Sequence, residues 1–473
     1  MRETHSRVTT IVDVLRQRAR HTPDKLAYTF LGDDAEPPEE ITYAALGRWV
    51  TGVAARLCRV AARGDRVLLL YPAGLDFVAG FLGVLAARMV AVPAYLGRQD
   101  RDQRRLRVIA ENARIARVLT CWGFFEHAWQ KGAIEDLGLP VSFSDDAATE
   151  DCGDDGAVRI GEEELALLQY TSGSTGQQKG VKISHKNILH NQETLRRAFQ
   201  HSEQSRIAGW LPHYHDMGLI GNILQPVYVG GHCILMSPYQ FLRRPARWLE
   251  AISCFRATTS GAPNFAYQLC VQRITAQEKD RLDLSSWSVA FTGAEMVRAA
   301  TLQRFAEEFA SCGFRRQALY PCYGLAESTL LVSGGIVGTG WRTRHLKRSA
   351  LVEREIVEAS AGHSDVEAVV SCGMPRGGKV VIADNAGGEL PERRLGEICV
   401  NGESVAGGYW QNEELSRRAF PDSTTAGRHL RTGDLGFLWD GELYICGRKT
   451  GMIVLYGTNY FAEDLEDLSS TSD

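Results

Sequence analysis

The sequence predicts an α/β fold of mostly parallel sheets covered by helices, closed by a smaller β-rich part. Two patterns carry this prediction. Short apolar stretches alternate with helix-length stretches over about 300 residues, the rhythm of strands joined by helical crossovers. After about Gly335 the helical spacers thin out, and "GKVVIAD", "GEICVNG" and "GELYICGR" stand as short strands bounded by Gly and Asp. At 473 residues the chain is too long for one ordinary core, so two or three subdomains are expected.

The elements follow in order. Ile11, Val12, Leu15 and Ala19 share one face of an N-terminal amphipathic helix. "RVLLLY" (66–71) reads as a buried strand and 74–87 as a helix. The greasy stretch 77–96 contains Arg88 and Pro93, which suits a buried helix and strand better than a membrane span. "ARVLT" (116–120), "LALLQYTS" (165–172), "HCILMS" (232–237), "WSVAFTGAE" (287–295) and "QALYPCYG" (317–324) continue the strands, with helices over 244–255 and 297–311. Residues 145–164 form an acidic, Gly-rich connector that reads as a solvated loop. Residues 341–368 are polar without strand periodicity and look inserted.

Composition excludes several classes. The net charge of −4 gives no basic footprint for nucleic acid or an anionic membrane. Eleven cysteines without a C-x-x-C pair fit neither a zinc site nor a disulfide framework. With no apolar signal core at the N-terminus, a cytoplasmic protein without a membrane span is expected.

Chemistry concentrates first in "YTSGSTGQQKG" (170–180), directly after an apolar strand. Gly173, Gly176 and Gly180 let backbone amides approach an anion, hydroxyls of Thr171, Ser172, Ser174 and Thr175 add donors, and Lys179 adds a charge. Lys179 lacks the Gly before it and the Ser or Thr after it that a Walker A loop needs, and no G-x-S-x-G elbow surrounds any serine.

This loop resembles the phosphate-binding signature of the adenylate-forming superfamily of acyl-CoA synthetases, luciferases and peptide-synthetase adenylation domains. Four further segments resemble that family in order: "FTGAE" (291–295), "YPCYGLAEST" (320–329), "RTGDLG" (431–436) and "YICGRKTGMI" (444–453). The resemblance implies two mostly parallel α/β subdomains, about 1–165 and 166–340, and a β-rich subdomain at 369–447, together the family's large domain within 1–455. It gives Thr171, Ser172, Gly173, Ser174, Thr175, Gly176 and Lys179 to the ATP phosphates. Gly293, Ala294 and Glu295 would line the adenine pocket, with Tyr323 and Gly324 against the base. Asp434 and Arg448 would hold the ribose, and Glu327 a Mg²⁺ ion.

Within the superfamily, "GWLPHYHDMGLIGNILQPVYVGG" (209–231) and "SGAPNFAYQLC" (260–270) resemble fatty acyl-AMP ligases. These join a fatty acid to AMP and pass the acyl group to the phosphopantetheine thiol of an acyl carrier protein of a polyketide or peptide synthase. His215 then borders the acyl carboxylate, with Asp216, Gly261, Ala262 and Phe265 along the tail. Residues 341–368 lie where that group carries an insertion. The expected cofactors are ATP and Mg²⁺. An acyl-CoA synthetase, or a non-catalytic acyl- or nucleotide-binding module, are the alternatives.

The chain departs from the pattern at three places. Gln178 stands where proline is usual, and Thr450 and Gly451 replace the basic and acidic residues of the hinge. The sequence ends about 20 residues beyond that hinge, so the C-terminal small domain, from 448–473 onward, is expected to be missing and the chain alone weakly active.

Overall fold

Thr10 and Asp13 start the first helix, Ile11–His21, by capping each other. The Asp13 amide donates to Thr10 Oγ1 at 3.1 Å and the Thr10 amide to the Asp13 carboxylate at 3.0 Å. Ile11, Val12, Val14 and Leu15 are buried on this helix, while Ala19 is half-buried. The computed structural model describes residues 8–33, 36–145, 160–172, 178–421, 429–449, 452–455 and 458–461. Most of the 145–164 connector lies outside them.

The chain divides into two compact units. Met1–Arg196, His201–Arg244 and Ala406–Glu413 make the first; Arg197–Gln200, Pro245–Val405 and Glu414–Asp473 make the second.

The first unit holds strands β1 (Leu26–Phe30), β2 (Glu39–Thr42), β3 (Arg66–Leu69), β4 (Val90–Pro93), β5 (Ile115–Thr120), β6 (Val141–Phe143), β7 (Leu165–Ser172), β8 (Gln178–Ser184), β9 (Arg206–Gly209) and β10 (His232–Leu235). One sheet runs β6-β5-β3-β4-β7-β8, parallel except where β7 turns back into β8. The order β9-β10-β1-β2 forms a second set, parallel except for β2. Val67, Leu68, Leu69 and all of β4 are buried, as a parallel strand covered on both faces requires. In the helix Leu75–Ala86, Leu75 and every residue from Phe77 through Leu85 are buried.

The second unit continues with β11 (Thr259–Gly261), β12 (Val289–Thr292), β13 (Leu319–Gly324), β14 (Leu331–Gly334), β15 (Thr343–Lys347), β16 (Val366–Val370), β17 (Met374–Pro375), β18 (Gly378–Ala383), β19 (Gly396–Gly402), β20 (His429–Trp439), β21 (Glu442–Arg448), β22 (Met452–Leu455) and β23 (Thr458–Phe461). Strands β11, β12 and β13 are parallel neighbours, and β14 and β17 add antiparallel pairs. Strands β18-β19-β20-β21 form an antiparallel sheet, and β22 pairs with β23.

Segment 341–368 differs from its polar, aperiodic reading. Residues Thr343–Lys347 pair antiparallel with Val366–Val370. Leu346, Leu351 and Val369 sink into one apolar cluster with Leu435, Phe437, Trp439 and Tyr444. One strand buries Leu346 alone and the other the adjacent Val369 and Val370, so the sequence shows no alternation.

Parallel strands leave their C-terminal ends open, and in the second unit the turns after β11, β12 and β13 carry the candidate residues. An aromatic core lies beneath. Trp248 and Trp287 cross at 5.4 Å, Tyr267 meets the Phe305 edge at 4.9 Å, and Phe305 meets Phe314 at 5.0 Å. Their polar ends are satisfied, Trp248 Nε1 by Ser260 Oγ at 2.7 Å and the Tyr267 hydroxyl by Phe291 O at 2.8 Å. Among the described residues no helix is long and apolar enough to cross a membrane.

Phe305 is fully buried in this cluster. Phe305→Ala is expected to lower stability by about 3–5 kcal/mol, through lost transfer energy and a residual cavity. The urea midpoint of the native chain and the variant checks this.

Candidate active site

The phosphate-loop hairpin belongs to the first unit. Strand β7 turns back into β8, with Thr171 opposite Lys179 and Tyr170 opposite Gly180. Gly173, Ser174, Thr175, Gly176 and the side chain of Ser172 lie outside the described residues. Gly180 is no turn residue. It sits inside β8, where a Cβ would come within 2.9 Å of the Tyr170 ring. Close packing against that ring, rather than approach to an anion, requires glycine there. Lys179 Nζ stands 5.5 Å from the Tyr409 ring centroid, a cation–π contact. The usual proline position is now readable: Gln178 Oε1 accepts from Arg105 Nε at 2.8 Å. A proline would lose this bond.

His215 and Asp216 belong to the same unit. The Gln169 side chain of β7 donates to Tyr214 O at 2.8 Å and so fixes the backbone beside His215. His215 Nδ1 lies 2.6 Å from Asp216 Oδ1. The histidine side chain is 58% exposed, the carboxylate 11%. The Asp216 charge and hydrogen bond raise the His215 pKa above its ordinary value, against the opposing effects of burial and Arg105. Asp216 also accepts from the Met217 amide at 2.7 Å, starting the π-helical stretch Met217–Leu224. The other histidine of "PHYHD" behaves oppositely. His213 is buried against Phe77 at 4.2 Å between rings, and burial pushes its pKa down to about 3. Of the two, His215 is the one able to carry a proton to a ligand.

The nucleoside-side residues belong to the second unit. Asp434 on β20 stands directly opposite Arg448 on β21, and Arg448 Nε donates to Asp434 Oδ1 at 3.1 Å. The Tyr323 hydroxyl, from the end of β13, donates to Asp434 Oδ2 at 2.5 Å. Asp434 is only 7% exposed. Burial raises its pKa, and the Tyr323 and Arg448 contacts offset this only in part. Burial and the Asp434 charge likewise push the Tyr323 phenol well up, so it remains a donor.

Glu327 lies half-buried in a single helical turn, Ala326–Ser328. The next residues are held tightly: Thr329 adopts φ 65 and ψ −58, and the Leu330 amide donates to Ser328 O at 2.7 Å. This γ-turn is strained, and Thr329 Oγ1 holds it by donating to Ser404 O at 2.8 Å. A single hard carboxylate suits Mg²⁺, which keeps most of its shell for water and phosphate. Among the described residues no group of three or more His, Cys, Asp or Glu forms an all-protein metal cage.

The remaining residues line the turns after β11 and β12. Gly293 is buried, Ala294 and Glu295 are exposed, and Ala294 has φ +68. Gly261, expected along the acyl tail, ends β11; a Cβ there would meet Phe291 O at 2.2 Å, so the parallel pairing of β11 with β12 already requires glycine. Ala262 is fully buried and Phe265 is 41% exposed.

Sequence reasoning missed Glu397. This buried carboxylate accepts from Arg431 at 2.5 Å and from the Gly433 amide at 3.3 Å, and Lys449 stands 3.5 Å away. Burial raises its pKa, but Arg431 and Lys449 more than reverse this, and the carboxyl ends below its ordinary value. Glu397 therefore braces the turn that leads into Asp434. A charge inside the apolar run "EICV" was the available signal. Arg105 had none.

Three comparisons place this geometry among known proteins. A family model described as AMP-binding enzyme matches residues 15–410. The chain is 39% identical to the medium-chain-fatty-acid–acyl-carrier-protein ligase JamA of Moorena producens (strain JHB), over 97% of this chain and 79% of that protein. It is 35% identical to the corresponding ligase TtuA of Teredinibacter turnerae (strain ATCC 39867 / T7901), over 95% and 78%. A fatty acyl-adenylate ligase from L. pneumophila, crystallised with acyl adenylate and pyrophosphate, matches with TM-score 0.87 at 39% identity. That match covers 95% of this chain and 79% of the other.

The His215–Asp216 pair gives a pH prediction. A histidine pKa raised by folding adds stability that is full below the unfolded value, near 6.5, and is lost as pH rises through the folded value. Asp216→Asn removes the neighbouring charge, so the His215 pKa should fall and this stabilised window should narrow from above. An NMR titration of His215 in both chains checks it; equal midpoints would remove the ion pair from the site's electrostatics.

Proposed function

The chain belongs to the AMP-binding enzyme family, and we propose that it activates a fatty acid as acyl-AMP and hands the acyl group to the thiol of an acyl carrier protein. The observation that carries this reading is Asp434, a buried carboxylate whose two oxygens face a hydroxyl donor and a guanidinium. A diol such as ribose can engage the same two acceptor oxygens. JamA and TtuA are named for medium-chain acids, which favours an acid of that class.

The chemistry needs no enzyme nucleophile. The fatty carboxylate oxygen attacks the α-phosphorus of ATP, forming an acyl–O–P bond while the bond to pyrophosphate breaks. Two anions must approach, so neutralising charge and positioning are most of the catalysis. Lys179 supplies a fixed positive charge for the phosphates. His215, inclined to be protonated by Asp216, attracts the incoming carboxylate. Asp434 and Arg448 hold the ribose and Tyr323 faces the base. Glu327 would hold Mg²⁺, whose charge screens the phosphate oxygens. In the second step a thiol attacks the acyl carbon, AMP leaves, and the thiol proton passes to solvent.

A carrier protein of a polyketide or peptide synthase is the proposed acceptor. The ten described cysteines are all unbridged, which supports a reducing, cytoplasmic setting.

Asp434→Ala removes both acceptor oxygens. At about 1.5–3 kcal/mol for hydrogen bonds to a charged group, the KM for ATP should rise roughly tenfold to a hundredfold. Acyl-hydroxamate formation from ATP and decanoate reads this out. The native chain in the same assay, with coenzyme A or a holo-carrier protein as acceptor, distinguishes the readings. Faster thioester formation on the carrier supports the proposal, and preference for coenzyme A favours an acyl-CoA synthetase. The absence of acid-dependent product favours a binding module.

A further inference from the structure

Glu295 stands in the turn after β12, two residues beyond Gly293. Its Oε1 accepts the backbone amide of Phe265 at 2.6 Å. Phe265 is the second residue of the helix Asn264–Arg273, and the residue before that helix, Pro263, offers no side-chain cap. The first amides of a helix need acceptors from elsewhere, and Glu295 supplies one from another element. The first helical residue returns the contact. Asn264 is 7% exposed. Its Oδ1 accepts from the Arg298 amide at 3.1 Å and its Nδ2 reaches Thr301 Oγ1 at 3.3 Å.

Two hydrogen bonds thus tie the turn after β12 to the start of the helix after β11, and a third ties that start to Thr301 in the next helix, Ala299–Glu308. The strands beneath are in register, Gly261 opposite Phe291, and Phe291 O receives both the Ala262 amide at 3.1 Å and the Tyr267 hydroxyl at 2.8 Å. Between strand and clamp, Ala294 holds φ +68, a left-handed conformation that a residue with a Cβ keeps only where its surroundings impose it.

We propose that Glu295 and Asn264 form a clamp joining the adenine turn to the acyl-side helix, so that binding of one ligand tightens the binding of the other. This rests on the function proposed above. Two loops that order independently would each be ordered by their own ligand. Clamped loops are ordered together, so the first ligand bears most of that entropic cost and the second binds more tightly. Glu295 is then a positioning residue, its carboxylate committed to the helix rather than to the base.

The test measures the Kd of α,β-methylene-ATP, which cannot release pyrophosphate, with and without saturating decanoate. In the native chain decanoate should tighten the nucleotide by at least about fivefold, the lower end of ordinary coupling. Glu295→Ala and Asn264→Ala should reduce that factor to less than twofold. Glu295→Gln keeps an oxygen for the Phe265 amide and should retain it. Should Glu295→Ala not fold, Thr301→Val, which leaves both backbone-amide contacts and removes only the partner of Asn264 Nδ2, should give an intermediate factor. No tightening in the native chain, or undiminished tightening in the folded variants, overturns the clamp. Acid-dependent hydroxamate formation by the native chain judges the proposed function separately, so the clamp can fail while that function stands.

Discussion

A carboxylate taken out of water must be given partners, and Asp434 is the buried carboxylate around which the second unit is arranged. Its partners come from different places in the chain, Tyr323 at the end of β13 and Arg448 on β21. Glu397 repeats the device one strand away, with Arg431, the Gly433 amide and Lys449. The two carboxylates settle differently. Cations dominate around Glu397 and hold it ionised, whereas burial wins at Asp434 and leaves its pKa raised. The braced group is structural.

The first unit places its charge nearer the surface. Lys179, half-buried, leans toward the Tyr409 ring, and His215 stands exposed against the buried Asp216. Neighbouring residues are tied by hydrogen bonds: Gln169 bonds the Tyr214 backbone, and Arg105 bonds Gln178 beside Lys179. Positive charge held at these positions suits a reaction between two anions.

The α/β class was legible because buried parallel strands are continuous apolar runs, as in β3 and β4, and because the helices between them have room to show their period. The pair β15 and β16 was not legible, since a two-stranded ribbon burying so few side chains leaves no alternation to read. At the candidate site, chemistry-bearing residues stood out wherever they sat in Gly-rich turns, and the structure brings Tyr323, Asp434 and Arg448 within bonding distance from 323 to 448. Residues that act by holding others stood out less. Asn264 and Arg105 depend on partners far along the chain with nothing local to announce them, and Glu397 shows only as a charge beside an apolar run. Glycines answer a demand that appears only in three dimensions. Gly180 and Gly261 are each required by close packing, against the Tyr170 ring and the Phe291 carbonyl.

The central claim is that a carboxylate oxygen becomes bonded to the α-phosphorus of ATP. The most direct measurement follows that oxygen. The chain would be incubated with Mg²⁺–ATP and decanoate carrying ¹⁸O in both carboxylate positions, and the acyl product released to a thiol. Mass spectrometry should find one ¹⁸O in AMP and none in the pyrophosphate. Label appearing in inorganic phosphate alongside ADP, or in neither nucleotide nor phosphate, would contradict the account.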